Sequence, residues 1–308
     1  MKAHPYDLIG DIHGHHDKLT ALLDRLGYTH DGDVHRHPEG RKVIFLGDYI
    51  DRGPKIRETL HLVRQMVDAG EAQAIMGNHE FNAISYATPN GKGGHLRERI
   101  EKNVNQHART LAAFEGREAE WAEWIEWMKR LPMFLDLEGL RAVHAAWDAR
   151  HLEMVSGTPL LNDLFLQASA TRGTPEYEAV EVLLKGPEMT LPEGLFFEDK
   201  EQVKRKNIRV RWWGLEEGSP IGDLVMPDPM EELQERVTRE MLQGLPNYGA
   251  DEPPVFFGHY WIPPHREKAP LAVNLASLDY SGALGDNPLT AYRWDGEQEL
   301  SASKFVTH

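Results

Sequence analysis

Residues 43–53 read VIFLGDYIDRG, and the fold follows from that stretch. Val43, Ile44, Phe45 and Leu46 form an unbroken apolar run, the composition of a strand buried on both faces. Gly47 ends the run and hands over to Asp48, Asp51 and Arg52, and Gly53-Pro54 opens a helix. Two carboxylates and a guanidinium at the mouth of a buried strand cost free energy unless something charged sits between them. A divalent metal together with a phosphate fills that role.

The same pattern lies on either side. Upstream, Tyr6-Asp7-Leu8-Ile9 reads as a short strand ending in the turn Gly10-Asp11-Ile12-His13-Gly14. A helix over 17–26 follows, with Leu19, Leu22, Leu23 and Leu26 on one face and Gly27 as its stop. Downstream, a helix from Pro54 to about Ala69 leads to a third strand at 72–76. That strand runs into Gly77-Asn78-His79-Glu80 and another helix through about Ala87. Three strand–turn–helix units predict a parallel α/β sheet. Right-handed crossovers put all three turns on one sheet edge. Asp11, His13, Asp48, Asp51, Arg52, Asn78 and His79 therefore share one neighbourhood.

Beyond this core, 88–130 reads as a helical insertion behind the loop 89–94, with Trp121, Trp124, Ile125 and Met128 as a core-packing stripe. A hairpin of 134–137 and 141–143 delivers His144. A second, mixed insertion covers about 150–245, with helical patterns at 158–171 and 176–185 and an acidic helix at 230–243. Within it, 207–213 alternates as a strand, with Ile208, Val210 and Trp212 on one face and Arg209, Arg211 and Trp213 on the other. The ending is all β: 255–257 into Gly258-His259, then 271–275 and 290–294. One domain over 1–308 carrying both insertions is the expected organisation.

Composition narrows the classes. A length of 308 residues suits a single α/β enzyme with insertions. A formal charge of -15 argues against a broad nucleic-acid footprint, which needs basic surface. There is no Cys, hence no disulfide frame and no thiolate metal site. No run of 18 apolar residues exists, so no membrane span is expected. The first strand begins by Leu8, leaving no room for a signal peptide, and a cytoplasmic location is the expectation. Of 16 His, those at 30, 35, 37, 61, 107 and 308 read as ordinary solvated or core residues.

The remaining groups have ligand chemistry. Asp11 and His13 can face one ion across a glycine turn, and Asp48 has oxygens enough to bridge two. Asn78 offers an amide oxygen, and His144 and His259 offer imidazoles at later strand ends. Carboxylate, amide and imidazole without thiolate suit a borderline first-row metal such as Mn, Fe or Zn more than Ca, and Mn is the first expectation. Two such cations clamp a phosphoryl group and activate water.

GDIHG (10–14), GDYIDRG (47–53), GNHE (77–80), VHAAW (143–147) and FGHYW (257–261) resemble the calcineurin-like metallophosphoesterases. The likeness is greatest to the phosphoprotein-phosphatase branch and its bacterial relatives, which include diadenosine tetraphosphate hydrolases. It is dense over the first 90 residues, then rests on the two histidines and the terminal strands. The resemblance implies a four-layer α/β (α+β) fold, a β-sandwich flanked by helices, with a dinuclear centre. One ion is expected on Asp11, His13 and Asp48, the other on Asp48, Asn78, His144 and His259. His79 is expected to protonate the leaving oxygen, Asp51 to hold its ring, and Arg52 to bind phosphate oxygens.

This chain departs from that pattern at Ala145-Ala146, followed by Trp147, where small glycines are usual. A second phosphate-binding arginine is assigned to Arg211, with Arg209 behind it and Lys185 as a loop-borne candidate. The leading expectation is a dinuclear phosphatase that hydrolyses phosphomonoesters, including phosphoserine or phosphothreonine in proteins, by attack of a metal-bridging hydroxide. The second is hydrolysis of a dinucleoside polyphosphate such as diadenosine tetraphosphate, and a remote third is a catalytically dead binding protein. The expected partner is accordingly a phosphoprotein or a nucleotide.

Overall fold

The apolar run at 43–46 becomes an interior strand because both its faces meet hydrophobic layers. The computed structural model describes residues 4–156, 161–198 and 204–308. Its first units are β1 (Tyr6–Ile9), α1 (His16–Leu26), β2 (Lys42–Phe45), α2 (Ile56–Asp68), β3 (Ala72–Ala74) and α3 (Asn78–Ala87). Strands β1, β2 and β3 are parallel neighbours, with Leu8 opposite Ile44 and Ile44 opposite Gln73. Alternation along the strands sends Leu8 and Ile44 to one face of the sheet and Ile9, Val43 and Phe45 to the other.

The second sheet is built later. Helices α4 (Glu101–Ala113) and α5 (Glu118–Met128) precede the hairpin β4 (Phe134–Leu137) and β5 (Leu140–Val143). Next come α6 (Ala149–Ser156), α7 (Asp163–Ser169), α8 (Pro175–Lys185), β6 (Glu188–Thr190) and β7 (Asn207–Arg209). The chain closes with β8 (Val255–Phe257), β9 (Leu275–Ser277), β10 (Thr290–Trp294) and β11 (Phe305–Thr307). Strands order as β11-β10-β1-β2-β3 in one sheet and β9-β8-β5-β4 in the other.

Leu8, Ile44, Leu46 and Ile75 meet Leu140, Ala142, Phe256 and Ala276 in a fully buried cluster between the sheets. The outer faces are covered by helices: Leu19, Leu22 and Leu23 of α1 join Ile9, Val43 and Phe45, while Leu183 and Leu184 of α8 join Val143 and Phe257. Each such leucine contributes about 1.5–3 kcal/mol by leaving water. The arrangement is the expected four-layer mixed α/β sandwich. No described helix is long and apolar enough to cross a membrane.

Three local expectations fail. The segment 230–243 is not a helix, because Val237, Ile221 and Gly222 use their N–H groups on Ser219, Glu235 and Leu233 across an extended pairing. That pairing buries Leu233 and Val237 against Ile221 and Leu224, which outweighs local helix propensity. The strand expected at 271–275 begins only at Leu275, because Leu271 N–H turns back onto the Leu275 carbonyl. The strand expected at 207–213 pairs regularly only through Arg209, opposite Glu188. Trp213 leaves the arginine face and is buried against Trp212 and Phe257. Part of the helix expected at 158–171 lies outside the described residues, and the observed helix there is α7. The tryptophan stripe of α5 packs as expected, with Trp124, Ile125 and Met128 buried.

Candidate metal centre and its rim

The turns after β1 and β2 are bound to one another through their backbones. Ile12 and His13 N–H donate to the Asp48 carbonyl at 3.1 and 2.7 Å, and Gly53 N–H donates to that of His13 at 2.8 Å. Among the described residues seven non-glycine residues have positive φ, and five of these are His13, Asp48, Asp51, Arg52 and His259. Such conformations cost on the order of 1–3 kcal/mol each and gather at functional sites.

Glu80 offsets part of that cost. Its buried carboxylate accepts from the N–H groups of Asp48 and Tyr49, both at 2.8 Å, and of Gly77 at 3.0 Å. Burial and the neighbouring Asp48 push its carboxyl up to about 7. Two glycines are required by close approach. A Cβ at Gly77 would collide with Oδ1 of Asp48, and one at Gly258 with Oδ1 of Asp11.

The six expected metal ligands converge. Oδ2 of Asp48 lies 3.5 Å from Nε2 of His13 and 3.5 Å from Nε2 of His144. Oδ1 of Asn78 lies 3.0 Å from Nε2 of His144 and 2.8 Å from Nδ1 of His259. The Asp11 carboxylate accepts from His259 N–H at 3.2 and 3.3 Å. Among the described residues, ligand-type atoms within 4.8 Å of one another form two groups, His13–Asp48–His79 and Asp11–Asp48–His144, with Asp48 in both.

Backbone carbonyls orient the rings. His13 Nδ1–H donates to Ile50 O at 2.8 Å, which leaves its buried Nε2 as a lone pair with no hydrogen-bond partner among the described residues. Nδ1 of His144 is held the same way by Leu46 O at 2.7 Å. Burial, then the charge of His79, lowers His13 to about 3, so the ring is neutral and ligand-ready. Burial and Arg209 likewise hold His259 well below its usual range.

The carboxylates are crowded. Burial, then Asp279, raises Asp11 well above the usual carboxylate range, and burial raises Asp279 itself to about 6. Burial also works against ionised Asp48, but the imidazoles of His144 and His79 hold it well below that range. For His144 burial is unfavourable, and the Asp48 carboxylate outweighs it, giving about 10. Buried carboxylates beside the unpartnered Nε2 of His13, two further imidazoles and an amide oxygen fit a divalent metal centre.

Beside this cluster stands a histidine–carboxylate pair. Nδ1 of His79 lies 2.5 Å from Oδ2 of Asp51. Burial alone would lower His79, but Asp48 and Asp51 raise it. Asp51 is held below the usual range despite burial, through hydrogen bonds from His107 and His79. His107 is thus not the ordinary solvated or core histidine expected from the sequence: only 5% exposed, it places Nδ1 2.8 Å from Oδ1 of Asp51.

The rim carries arginines. The exposed Arg52 guanidinium lies 4.1 Å from the centroid of the Trp261 ring. Nη1 of Arg209 is 3.0 Å from Nε2 of His259, whereas Nη2 of Arg211 donates to Gly214 O at 3.1 Å. Lys185 ends α8 and pairs with Glu181. Ala145 and Ala146 are fully buried, and Trp147 packs edge-on against Phe134 at 5.6 Å.

Sequence reasoning missed three contributors and underrated a fourth. Glu80 sat inside a quoted motif without a role, and Arg209 was ranked behind Arg211 on the same strand face. His107 and Asp279 carried no local signal, since their partners lie far away in the chain.

Curated relatives match only part of the chain. A bis(5'-nucleosyl)-tetraphosphatase from Bacillus subtilis is 46% identical over 74 residues, 24% of this chain and 30% of that protein. Its counterpart from Halalkalibacterium halodurans is 45% identical over the same length and shares. The chain therefore spans about 30% of the length of the curated relatives it matches. A serine/threonine phosphatase structure from Saccharomyces cerevisiae aligns over 100% of this chain and 80% of that one, at 12% identity and a TM-score of 0.48. The family profile of the calcineurin-like phosphoesterases matches residues 4–263, and this chain belongs to that family.

Proposed function

We propose that the protein hydrolyses the phosphoanhydride of dinucleoside polyphosphates, with diadenosine tetraphosphate as the type substrate. The observation that carries the chemistry is the buried Asp48 cluster, with two guanidinium groups, Arg52 and Arg209, beside it. The choice of substrate is supported by the relatives named as bis(5'-nucleosyl)-tetraphosphatases.

In this reading Asp11, His13 and Asp48 hold one divalent cation, and Asp48, Asn78, His144 and His259 hold a second. Mn is the first candidate for that donor set, then Fe or Zn. Bound cations of this kind grip phosphoryl oxygens and bring the pKa of water to near neutrality. Arg52 and Arg209 bind the remaining phosphate oxygens, since a planar fork of N–H donors matches them. His79 carries a proton held by Asp51 and gives it to the leaving oxygen.

One observation favours a second reading, hydrolysis of phosphomonoesters. A buried imidazole backed by a carboxylate matters most when the leaving group is a poor one, such as the alkoxide of serine. A nucleotide leaving group departs with less help.

A Mn-supplemented panel of diadenosine tetraphosphate, ATP, a phosphoserine peptide and p-nitrophenyl phosphate separates the two, with products mapped by mass spectrometry in oxygen-18 water. The expected outcome is ATP plus AMP from the dinucleotide, with kcat/KM at least about tenfold above that for the phosphopeptide, a difference of about 1.4 kcal/mol. A phosphopeptide preferred by the same margin would sink the first reading.

A further inference from the structure

We propose that His107 and Thr110 of α4 are positioning residues for the His79–Asp51 pair. They hold one oxygen of the Asp51 carboxylate so that the other keeps the His79 ring aimed at the leaving group. The proposal rests on the reading of His79 as the general acid.

The geometry is specific. Asp51 presents Oδ2 to Nδ1 of His79 and Oδ1 to two donors on α4. Those donors are Nδ1 of His107 at 2.8 Å and the hydroxyl of Thr110 at 2.6 Å. The Thr110 hydroxyl also accepts from Asp51 N–H at 3.0 Å, so its single proton is directed to the carboxylate. His107 and Thr110 are three residues apart, and that spacing places both on one face of the helix. The side chains of Asp51, His107 and Thr110 are all buried.

His107 is polar at a cost. Its ring packs near Tyr86 and Trp121, with centroids 5.3 and 5.8 Å away, and its buried Nε2 has no hydrogen-bond partner among the described residues. A leucine there would fill the same aromatic pocket without an orphaned nitrogen. The compensating gain lies at Nδ1. A carboxylate rotates easily about its terminal bond, and that torsion is broad. Without the α4 donors the Asp51 carboxylate keeps, among the described residues, the hydrogen bond to His79 alone, and the imidazole it orients gains the same freedom. A misplacement of about 1 Å can cost about 10²-fold in rate. The helical insertion thereby acquires a role in the reaction through the Asp51 carboxylate.

The test compares phenyl phosphate, whose leaving group needs a proton, with p-nitrophenyl phosphate, whose leaving group does not. His107→Leu and Thr110→Val are each expected to lower kcat on phenyl phosphate about tenfold or more, with KM and p-nitrophenyl phosphate turnover changed less than about threefold. His107→Asn, whose amide nitrogen falls close to the place of Nδ1, and Thr110→Ser should restore most of the loss. Proton NMR supplies a readout without turnover. The downfield His79 Nδ1–H resonance, assigned by its loss in His79→Asn, should broaden or move in His107→Leu and stay in His107→Asn.

Equal losses on both substrates, a loss confined to KM, or an unmoved resonance overturns the proposal. If His79→Asn is selective for phenyl phosphate and the α4 variants are not, only the α4 assignment falls. If His79→Asn itself costs both substrates equally, the acid role of His79 falls and this assignment with it.

Discussion

Nη1 of Arg209 lies 3.0 Å from Nε2 of His259, so a guanidinium touches the cluster that the sequence marks for metal. Its other terminal nitrogen donates to Glu188 at 3.0 Å, which anchors it from outside. His259 accepts from Arg209 on one side and meets Asn78 on the other. A phosphate arriving at the cluster therefore finds Arg209 half-buried and held.

Arg209→Ala is accordingly expected to raise KM about tenfold or more, the 1.4 kcal/mol or above of a charge-assisted hydrogen bond. Arg211→Ala should change KM less than about threefold, since its guanidinium is turned to Gly214. Steady-state kinetics on the best substrate of the panel check both. The reverse order of effects would return the phosphate-binding role to Arg211.

Asp48→Asn separates metal bridging from scaffolding. The amide keeps an oxygen for the His79 N–H that Oδ1 accepts at 2.9 Å, so the local backbone has what it needs. The charge facing His13 and His144 disappears. Bound divalent metal, measured by plasma mass spectrometry after gel filtration, should fall together with turnover. Unchanged metal content and normal activity would place the bridge on another residue.

The parts legible in sequence were those whose signal is local. The run 43–46 is apolar because both faces are covered, and the turns GDIHG, GDYIDRG and GNHE put their functional groups beside the strand that positions them. His107 failed that test: Asp51, its partner, is 56 residues away, and nothing around it on α4 marks it out. Arg209 and Arg211 sit on the same strand face, and alternation cannot say which reaches the site. The helix misassigned at 230–243 shows tertiary pairing with 218–222 overriding a helix-forming composition.

Glu80→Gln tests how the turn around Asp48 is held in its left-handed conformation. Three N–H groups at 2.8–3.0 Å face two carboxylate oxygens, and Gln would present an NH2 group to some of them. Donor facing donor displaces the Asp48 turn. Metal affinity should drop by about 10–100-fold, the range for lost outer-shell support, with the fold retained. Calorimetric Mn titration of metal-stripped protein measures it, and wild-type affinity in the variant would reduce Glu80 to a packing residue.

Asp148 gives a pH-dependent test away from the metal cluster. It caps α6: Leu152 N–H donates to its carbonyl at 2.9 Å and Arg150 N–H to Oδ1 at 3.0 Å. The side chain, 3% exposed, also meets the Arg150 guanidinium at 2.9 Å and Nδ1 of His151 at 3.0 Å. Burial would raise its pKa, but the hydrogen bonds from His151 and Arg150 prevail and hold it well below the usual carboxylate range. A group whose folded pKa is depressed stabilises the fold fully above its unfolded pKa of about 3.9 and loses that contribution as pH falls through the folded value. Asn caps a helix as well as Asp, so Asp148→Asn removes the charge and keeps the cap. The variant should lose about 1–2 kcal/mol of unfolding free energy at neutral pH, the scale of hydrogen bonds to a charged group. The difference should shrink once pH drops below about 3.9, where the Asp148 carboxylate of the unfolded wild-type chain begins to take up its proton. Urea unfolding of both proteins between about pH 7 and pH 3 follows that gap. A constant gap across the range would assign the loss to packing, and no gap at neutral pH would leave the ion pair without stabilising effect.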